Sequence, residues 1–541
     1  MLLAVSALLW LAGACLAILR HARDLQLEEY QGGRYLRRRF ARRSRRPPTR
    51  AFLAWPVGLA LMLLFAAAPA SPLPELLTLP VALAAIWPRP AGESTKGFRA
   101  TWRARRLLGV AWLLTALVAA LLLSAVSLAA IPLRPALLTG AGLLLLLLAP
   151  LALVCANLLL RPVEALLRRR FIARARRTLA EARPVVIGIT GSFGKTSTKM
   201  ILQHVLNGRF RAGATPKSYN TLMGVCLAIN RELAEERSLD YYIIEMGAYV
   251  PGEIAEICAL ARPRISLVTG LGPQHLERFG SLENISAAKY EIVRALPADG
   301  LGVFVRDNPR VHAMATRGYP DQVMTVSCEA PPADAPVDDP RLVATQIHEG
   351  LDGLRFTVQD RRSGASEIFV TGLLGRHNVS NILLATAVAL HEGMRLREIA
   401  WRVRSLEATE ARLERRLTPA GITIINDGYS ANPEGARHAL RVLGMHAGRR
   451  LLVTPGMVEL GALMETENHA LGEAAAQYAS DVILVGAQQT RPLRAGLLAA
   501  GFPESHLHVM STLTEAVAWY QTQLQPGDSV LFLNDLPENW R

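Results

Sequence analysis

Gly188-Ile-Thr-Gly-Ser-Phe-Gly-Lys-Thr-Ser-Thr198 follows the apolar run Val185–Ile189 and opens a helical pattern over Lys195–Leu206. A strand, a glycine turn and a helix in that order form a phosphate cradle. Backbone N–H groups converge at the helix N-terminus, where the helix dipole also favours an anion. In such a loop Lys195 reaches the outer phosphates and Thr196 holds a magnesium ion. The stretch is not a strict Walker A sequence, because Ile189 stands where that pattern has its first glycine.

At 541 residues the chain exceeds one ordinary domain, and its composition divides in two. Five apolar blocks lie within residues 1–160: Leu2–Leu19, Ala51–Ala70, Leu76–Trp87, Leu107–Ile131 and Ala136–Leu160. The first lacks a basic leader and is followed by further blocks, so it reads as an anchor rather than a cleaved signal. The third is short and contains Pro80. Positions 20–50 carry 11 Arg and 3 acids, 88–106 carry 6 Lys/Arg and 1 acid, and 161–183 carry 8 Arg and 2 acids. The other two connections are nearly uncharged. Basic loops stay in the cytoplasm, so five spans put the N-terminus outside and everything after Leu160 inside.

Residues 1–183 carry a net charge of +19 and the remainder −4. The basic character is therefore a membrane-topology signal, and no nucleic-acid partner is expected. The basic segment 161–183 reads as an amphipathic connector, and its part 161–177 is suited to lie on anionic lipid, with Val163, Leu166, Leu167, Phe171 and Ile172 on its apolar side. Five cysteines without paired spacing read as free thiols.

From Pro184 strands alternate with helices, the pattern of a mostly parallel, helix-covered sheet. Strands are expected at Val185–Thr190, Tyr241–Met246, Ile265–Thr269 and Leu301–Val305. Antiparallel strands follow at Val343–His348, Leu354–Val358 and Ile368–Thr371, then helices at Val379–Glu392 and Leu396–Leu406. A second alternation has strands at Ile422–Ile425, Leu451–Thr454, Asp481–Val485, His506–Met510 and Ser529–Leu533. The expected architecture is an α-helical membrane region (1–160), the connector (161–183), a P-loop α/β central domain (184–408) and a Rossmann-like C-terminal domain (409–541).

The chain uses 55 Arg and only 5 Lys: Lys96, Lys195, Lys199, Lys217 and Lys289. Lys289 follows a His-bearing turn. A primary amine, unlike a guanidinium, can form a carbamate with carbon dioxide, and a carbamate binds metal. The plainer reading is a surface lysine on a helix.

These residues resemble the Mur ligases, ATP-dependent enzymes that add amino acids to the peptidoglycan precursor. Thr190–Ser197 looks like the family's ATP loop. Ile243-Ile-Glu-Met-Gly-Ala248 resembles the motif whose glutamate binds magnesium. His275–Ser281 and Ala288–Ile292 resemble the metal-histidine and carbamylated-lysine motifs, and Gly375-Arg-His-Asn-Val-Ser-Asn381 the adenine-side motif. Ala411-Arg-Leu413, Asn426–Pro433 and Met457-Val-Glu-Leu-Gly461 complete the series. Within the family the likeness is greatest to the ligase that adds D-alanyl-D-alanine. Membrane-like blocks occupy the place of the family's UDP-sugar domain, and Val530–Asp535 lacks the lysine such ligases carry after their last strand.

The resemblance implies amide synthesis through an acyl phosphate, with ATP and Mg2+, a carboxylate acceptor and an amino acid or dipeptide. It implies a catalytic set of Lys195, Glu245, His275, Lys289 and Arg412. Nucleotide binding falls to Gly191, Ser192, Phe193, Gly194, Lys195, Thr196, Ser197, Asn378, Asn381, Arg412 and Asp427. Thr196 and Glu245 would hold one metal, and His275 and carbamylated Lys289 a second, with domain closure needed to bring Arg412 and Asp427 in. Each residue has a plainer alternative. Glu245 could be a strand-end acid, His275 a loop histidine, Asn378 and Asn381 helix caps, and Asp427 a turn residue. The expected location is the bacterial cytoplasmic membrane, with the catalytic domains in the cytoplasm. A poly-γ-glutamate type of ligase is a second enzyme reading. A membrane GTPase or ABC-type ATPase is a third, but the guanine Asn-Lys-x-Asp and ABC Ser-Gly-Gln signatures do not occur. A non-catalytic scaffold would tolerate loss of Lys195, Glu245 or His275, yet all three positions hold chemically able residues.

Overall fold

The computed structural model describes residues 1–28, 30–40, 56, 58–60, 73–86, 98–332, 334–408, 411–428 and 432–533. The chain forms two compact units, residues 1–169 and 170–536.

The first unit is helical: Leu2–Leu27, Gly32–Phe40, Leu73–Ile86, Trp102–Leu128 and the N-terminal part of Arg134–Ala182. Leu2–Leu27, Trp102–Leu128 and Ile131–Ala182 are long and apolar enough, by length and composition, to cross a membrane. Of the other expected spans, Leu76–Trp87 falls, up to Ile86, in a shorter helix with Pro80 inside it, and Trp87 lies outside the described residues. Ala51–Ala70 lies almost wholly outside the described residues. Trp10, Ala14, Ile18 and Leu25 face inward, whereas Leu8, Leu113, Leu121 and Leu147 are exposed. Buried polar groups pair across helices, as between Ser6 Oγ and Thr78 Oγ1 at 2.9 Å.

The connector 161–183 differs from its sequence reading. It continues the helix Arg134–Ala182, which contains both Pro150 and Pro162. Leu-, Ala- and Arg-rich flanks carry the helix through these breakers. Its apolar residues do not share one fate. Val163, Leu166 and Leu167 are exposed, but Phe171 and Ile172 pack against the core of the second unit.

The second unit holds two sheets. The first contains β1 (Val185–Thr190), β2 (Ala212–Ala214), β3 (Tyr241–Glu245), β4 (Ile265–Val268), β5 (Leu301–Val305), β6 (Gln322–Ser327), β7 (Leu342–Gly350), β8 (Gly353–Asp360) and β9 (Ser366–Thr371). Among the described residues its order is β2-β3-β1-β4-β5-β6-β7-β8-β9. Pairing is parallel from β2 to β7 and antiparallel over β7-β8-β9. β1 lies between β3 and β4, where the strand order reverses. Ligands of open α/β sheets bind beyond the strand C-termini at such a switch point, and the glycine turn leaves β1 there.

Ile187, Ile189, Ile243, Leu267 and Val303 of this sheet form one core with Leu202 and Val205 of helix Lys195–Leu206 and Val379 and Ile382 of helix His377–His391. The second sheet contains β10 (Glu414–Leu417), β11 (Thr423–Asp427), β12 (Arg450–Thr454), β13 (Asp481–Val485), β14 (Leu507–Met510) and β15 (Ser529–Leu533), in the order β10-β11-β15-β12-β13-β14. Only the β10–β11 pair is antiparallel among the described residues. Both of its faces are covered. Leu452, Leu484 and Leu531 enter one apolar cluster, and their neighbours Leu451, Ile483 and Val530 enter another. Continuous apolar strands are the mark of such two-sided burial.

Ile187 is fully buried at the centre of the first sheet, whereas Ile368 on β9 is 45% exposed. Ile187→Ala should cost roughly 2–5 kcal/mol by cavity formation, and Ile368→Ala about 0.5 kcal/mol or less. Thermal melting of the detergent-solubilised chain checks the contrast, and equal shifts would contradict the core assignment.

Candidate active site

Two glycines let the phosphate loop close. Gly191 has φ +147° and Gly194 φ +81°. A Cβ on Gly191 would lie 2.1 Å from Thr269 Oγ1, and one on Gly194 2.7 Å from Asn381 Oδ1. The loop is held against the segment after β4 by Ser192 N–H donating to Gly270 O (2.6 Å) and Ser192 Oγ to Gly272 O (3.1 Å). Thr269 Oγ1 donates to Phe193 O. Gly194 caps helix Lys195–Leu206, so Lys195, Thr196 and the half-buried Ser197 occupy its first turn. Lys195 Nζ arches back over the loop, donating to Gly191 O (2.7 Å) and Ser192 O (3.0 Å). Burial lowers its pKa to about 8, with Glu245 opposing and Arg412 adding to the shift.

β3 runs parallel to β1 with Glu245 opposite Ile189, so the carboxylate emerges behind the loop. Glu245 Oε2 accepts from Thr196 Oγ1 at 2.9 Å and lies 3.3 Å from Lys199 Nζ. Its Oε1 accepts from Asn220 Nδ2 at 3.1 Å. Burial pushes this acid upward, but Lys199, Lys195 and the two hydrogen bonds outweigh it and hold the pKa below the usual carboxylate range. Lys199, one helical turn beyond Thr196, also donates to Lys217 O. It was not among the expected site residues. Its side chain is fully buried, and its partner acid is 46 positions away in the chain.

Thr196 Oγ1 and Glu245 Oε2 are hard oxygen donors. Adjacent ligands of an octahedral ion with bonds of about 2.0–2.1 Å sit roughly 2.9 Å apart, which matches their separation of 2.9 Å. This pair fits a magnesium ion.

His275 and Lys289 stand apart from that pair. His275 has φ +59° and its Nδ1 bonds Glu459. Arg278 donates to the other oxygen of Glu459 at 3.3 Å. Burial lowers the His275 pKa despite Glu459, with Lys195 and Lys289 adding to the shift. Helix Leu282–Arg294, capped by Ser281, carries Lys289 in its buried face. On the same helix Glu291 accepts from Gly252 N (2.6 Å) and Ala255 N (2.9 Å). The Lys289 Nζ lies 5.7 Å from the centre of the Phe279 ring. Burial, then repulsion from Lys195, lowers its pKa to about 7.

Lys195, His275 and Lys289 line one cavity of about 40 Å³, with Gly191, Ser192 and Asn220. Thus the four expected metal residues divide into two pairs. Among the described residues no group of three or more His, Cys, Asp or Glu side chains is placed to hold a metal. An imidazole bonded to Glu459 and an unmodified primary amine do not fit a second hard cation.

Arg412 reaches the loop from the start of the second sheet. Its Nη2 donates to Thr196 Oγ1 at 3.1 Å. The flanking Ala411 and Leu413 have φ +55° and +50°, and Leu413 N–H donates to Asp427 Oδ1 at 3.3 Å. Burial raises the Asp427 pKa to about 6, against the pull of Arg412. Asp427 therefore braces the turn that aims Arg412. Tyr429, Ser430 and Ala431 of its motif lie outside the described residues. Glu459 is the second contribution from this side. Its loop is pinned by Asn468, which accepts from Met457 N (2.8 Å) and donates to Met457 O (2.9 Å). Glu459 lies in a quoted motif, but its partner His275 is 184 positions distant and no local signal joins them.

Asn378 and Asn381 are buried, and the structure does not bring them to the cavity. Asn378 Nδ2 donates to Leu374 O (2.8 Å), Asn381 Nδ2 to Asn378 Oδ1 (3.0 Å), and Thr198 Oγ1 to Asn381 Oδ1 (3.1 Å). They tie helix His377–His391 to the phosphate-loop helix.

Residues 189–389 match the Mur ligase middle domain and residues 411–534 the Mur ligase, glutamate ligase domain. The UDP-N-acetylmuramoyl-tripeptide–D-alanyl-D-alanine ligase of Mycobacterium leprae is 32% identical over 368 residues, covering 64% of this chain and 70% of that protein. The chain belongs to the Mur ligase family. The ligase of the same name from Bacillus subtilis is 31% identical over 300 residues, 55% of this chain and 62% of that one, so this Mur ligase chain spans under two thirds of that relative. Among solved structures, MurF from Acinetobacter baumannii superposes with a TM-score of 0.58 at 26% identity, covering 68% of this chain and 77% of that one. MurF from Thermotoga maritima in complex with ADP gives a TM-score of 0.58 at 23% identity, a likeness of fold. Residues 1–188 lie outside both domain matches.

Gly191→Ala should strain the loop by roughly 1–3 kcal/mol, lower the melting temperature and abolish the further rise produced by added ATP. Differential scanning fluorimetry with and without nucleotide reads both effects, and an unchanged ATP-induced rise would contradict the cradle geometry.

Proposed function

We propose that this chain is a membrane-anchored, ATP-dependent ligase of MurF type that joins an amino acid or a dipeptide such as D-alanyl-D-alanine to a cell-wall precursor carboxylate. The observation that carries the reading is the convergence of Lys195, Thr196, Glu245 and Arg412 on one helix N-terminus at the switch point of a parallel sheet. Names of relatives support it: the curated ones are D-alanyl-D-alanine-adding ligases, and one structural neighbour was solved with ADP.

In this reading the first step brings an acceptor carboxylate to the γ-phosphate, so two anions must approach. Lys195 and Arg412 neutralise the phosphates. Thr196 and Glu245 would hold magnesium, whose charge would offset that building on the transferring group. An amine then displaces phosphate from the acyl phosphate, giving amide, ADP and phosphate. Asn378 and Asn381 brace the phosphate-loop helix through Thr198, and Asp427 keeps Arg412 aimed.

Lys289 is carbamylated in the active form. With its pKa lowered to about 7, the amine is half neutral at that pH and increasingly neutral above it, and the neutral form attacks carbon dioxide. The carbamate, its released proton passing to solvent, then adds a negative charge on the His275–Lys289 side of the cavity.

The helices of residues 1–169 embed in the bacterial cytoplasmic membrane and the second unit works in the cytoplasm. Outward-facing leucines and the basic connections support this. The acceptor is a UDP-linked or a lipid-linked precursor.

Phosphate release by the solubilised protein should appear with ATP, D-alanyl-D-alanine and one of these precursor classes. Stimulation by neither would sink the cell-wall assignment. Lys289→Arg should be inactive, whereas Lys289→Ala should regain partial activity with a short-chain carboxylic acid. At fixed dissolved carbon dioxide, wild-type activity should climb as pH rises through about 7, because deprotonation creates the reactive amine. Full activity of the Arg variant would remove the carbamate.

A further inference from the structure

The acid offered to the metal already has a built-in counter-ion. Lys199 has no exposed side-chain surface and its Nζ lies 3.3 Å from Glu245 Oε2, the same oxygen that accepts from Thr196. Its ammonium is fixed on the far side by Lys217 O, and the second carboxylate oxygen is engaged by Asn220. Lys195 and Arg412 add two further cations around Thr196. A dication held by Thr196 and Glu245 therefore gains one negative charge and meets three positive ones at short range. Triphosphate oxygens supply the charge that reverses this balance.

We propose that Lys199 makes divalent-cation binding at Thr196 and Glu245 conditional on nucleotide. It neutralises Glu245 until phosphates enter, so that metal is taken up together with nucleotide rather than before it. Lys199 is in this sense a positioning residue, acting on the metal through Glu245. The inference rests on the ligase reading above and adds an order of binding to it.

The test is Mn2+ titration of the full-length, solubilised protein, followed by electron paramagnetic resonance of free Mn2+, with and without ATP, each read against a protein-free blank because ATP itself chelates Mn2+. Wild type should take up Mn2+ with ATP and show none in its absence. Lys199→Met should gain nucleotide-free binding, tightened by at least about ten-fold relative to wild type. Lys199→Arg, which keeps the charge, should behave as wild type. A merely structural lysine predicts lost binding in the Met variant, not a gain. Equal Mn2+ affinity of wild type with and without ATP overturns the proposal, as does a folded Met variant with no gain. The wild-type comparison decides even where the Met variant melts without cooperativity. No Mn2+ uptake by wild type even with ATP present would instead sink the ligase reading itself.

Discussion

An ionised carboxylate taken out of water must be paired, or its desolvation costs several kcal/mol. Glu245 is 1% exposed, and its pairing organises the site. Thr196 and Lys199 reach it from one helix, Asn220 from the connection before the helix Leu222–Ala228. The parallel β1–β3 register sets Glu245 level with Ile189, just before the glycine turn. Move that register by one residue and the carboxylate would point to the other face of the sheet. Strand order, helix phase and loop path are thus all answerable to one buried charge.

The second sheet takes part through strain as well as contact. Ala411, Leu413 and Glu459 all have positive φ without being glycine, and they surround or supply the two groups that meet the phosphate-loop side, Arg412 and Glu459. Such conformations cost of order 1–3 kcal/mol each and persist where surrounding bonds over-determine them. Here those bonds are visible: Asp427 on the Arg412 turn and Asn468 on the Glu459 loop. Domain closure was expected in order to bring Arg412 in. Arg412 already touches Thr196, and Glu459 already touches His275, so in this arrangement both sheets contribute to one surface.

Strands with long apolar runs were legible because both their faces are buried: Val185–Thr190, Leu301–Val305, Asp481–Val485 and Ser529–Leu533 appear with the expected bounds. Three strands were not foreseen. β2 is only Ala-Gly-Ala, β10 is Glu-Arg-Arg-Leu on a sheet edge, and β6 is a short polar-apolar mixture. Their conformation is imposed by the neighbouring strand rather than by their own composition. The phosphate loop was legible because its chemistry is local, within eleven residues. Lys199 and Glu459 were not, because each acquires meaning from a partner brought in by the fold. Asn378 and Asn381 show the converse: a motif identifies the residues, while the packing of one helix on another decides that their amides are spent on Leu374, each other and Thr198.

Electrostatics gives the cavity its character. Burial lowers the pKa of both Lys195 and Lys289 most, and repulsion adds to it, from Arg412 at Lys195 against the pull of Glu245, and from Lys195 at Lys289. Such repulsion is a store of affinity for any polyanion placed among them, since each repulsive pair becomes a shared attraction. The cavity itself encloses about 40 Å³, space for about three water molecules at roughly 10–15 Å³ each. Lys195, hydrogen-bonded to its own loop carbonyls, and Arg412, bonded to Thr196, are held by contacts that phosphate oxygens can replace one for one. The nucleotide would thus enter by exchanging hydrogen bonds to neutral protein oxygens for hydrogen bonds to charged phosphate oxygens.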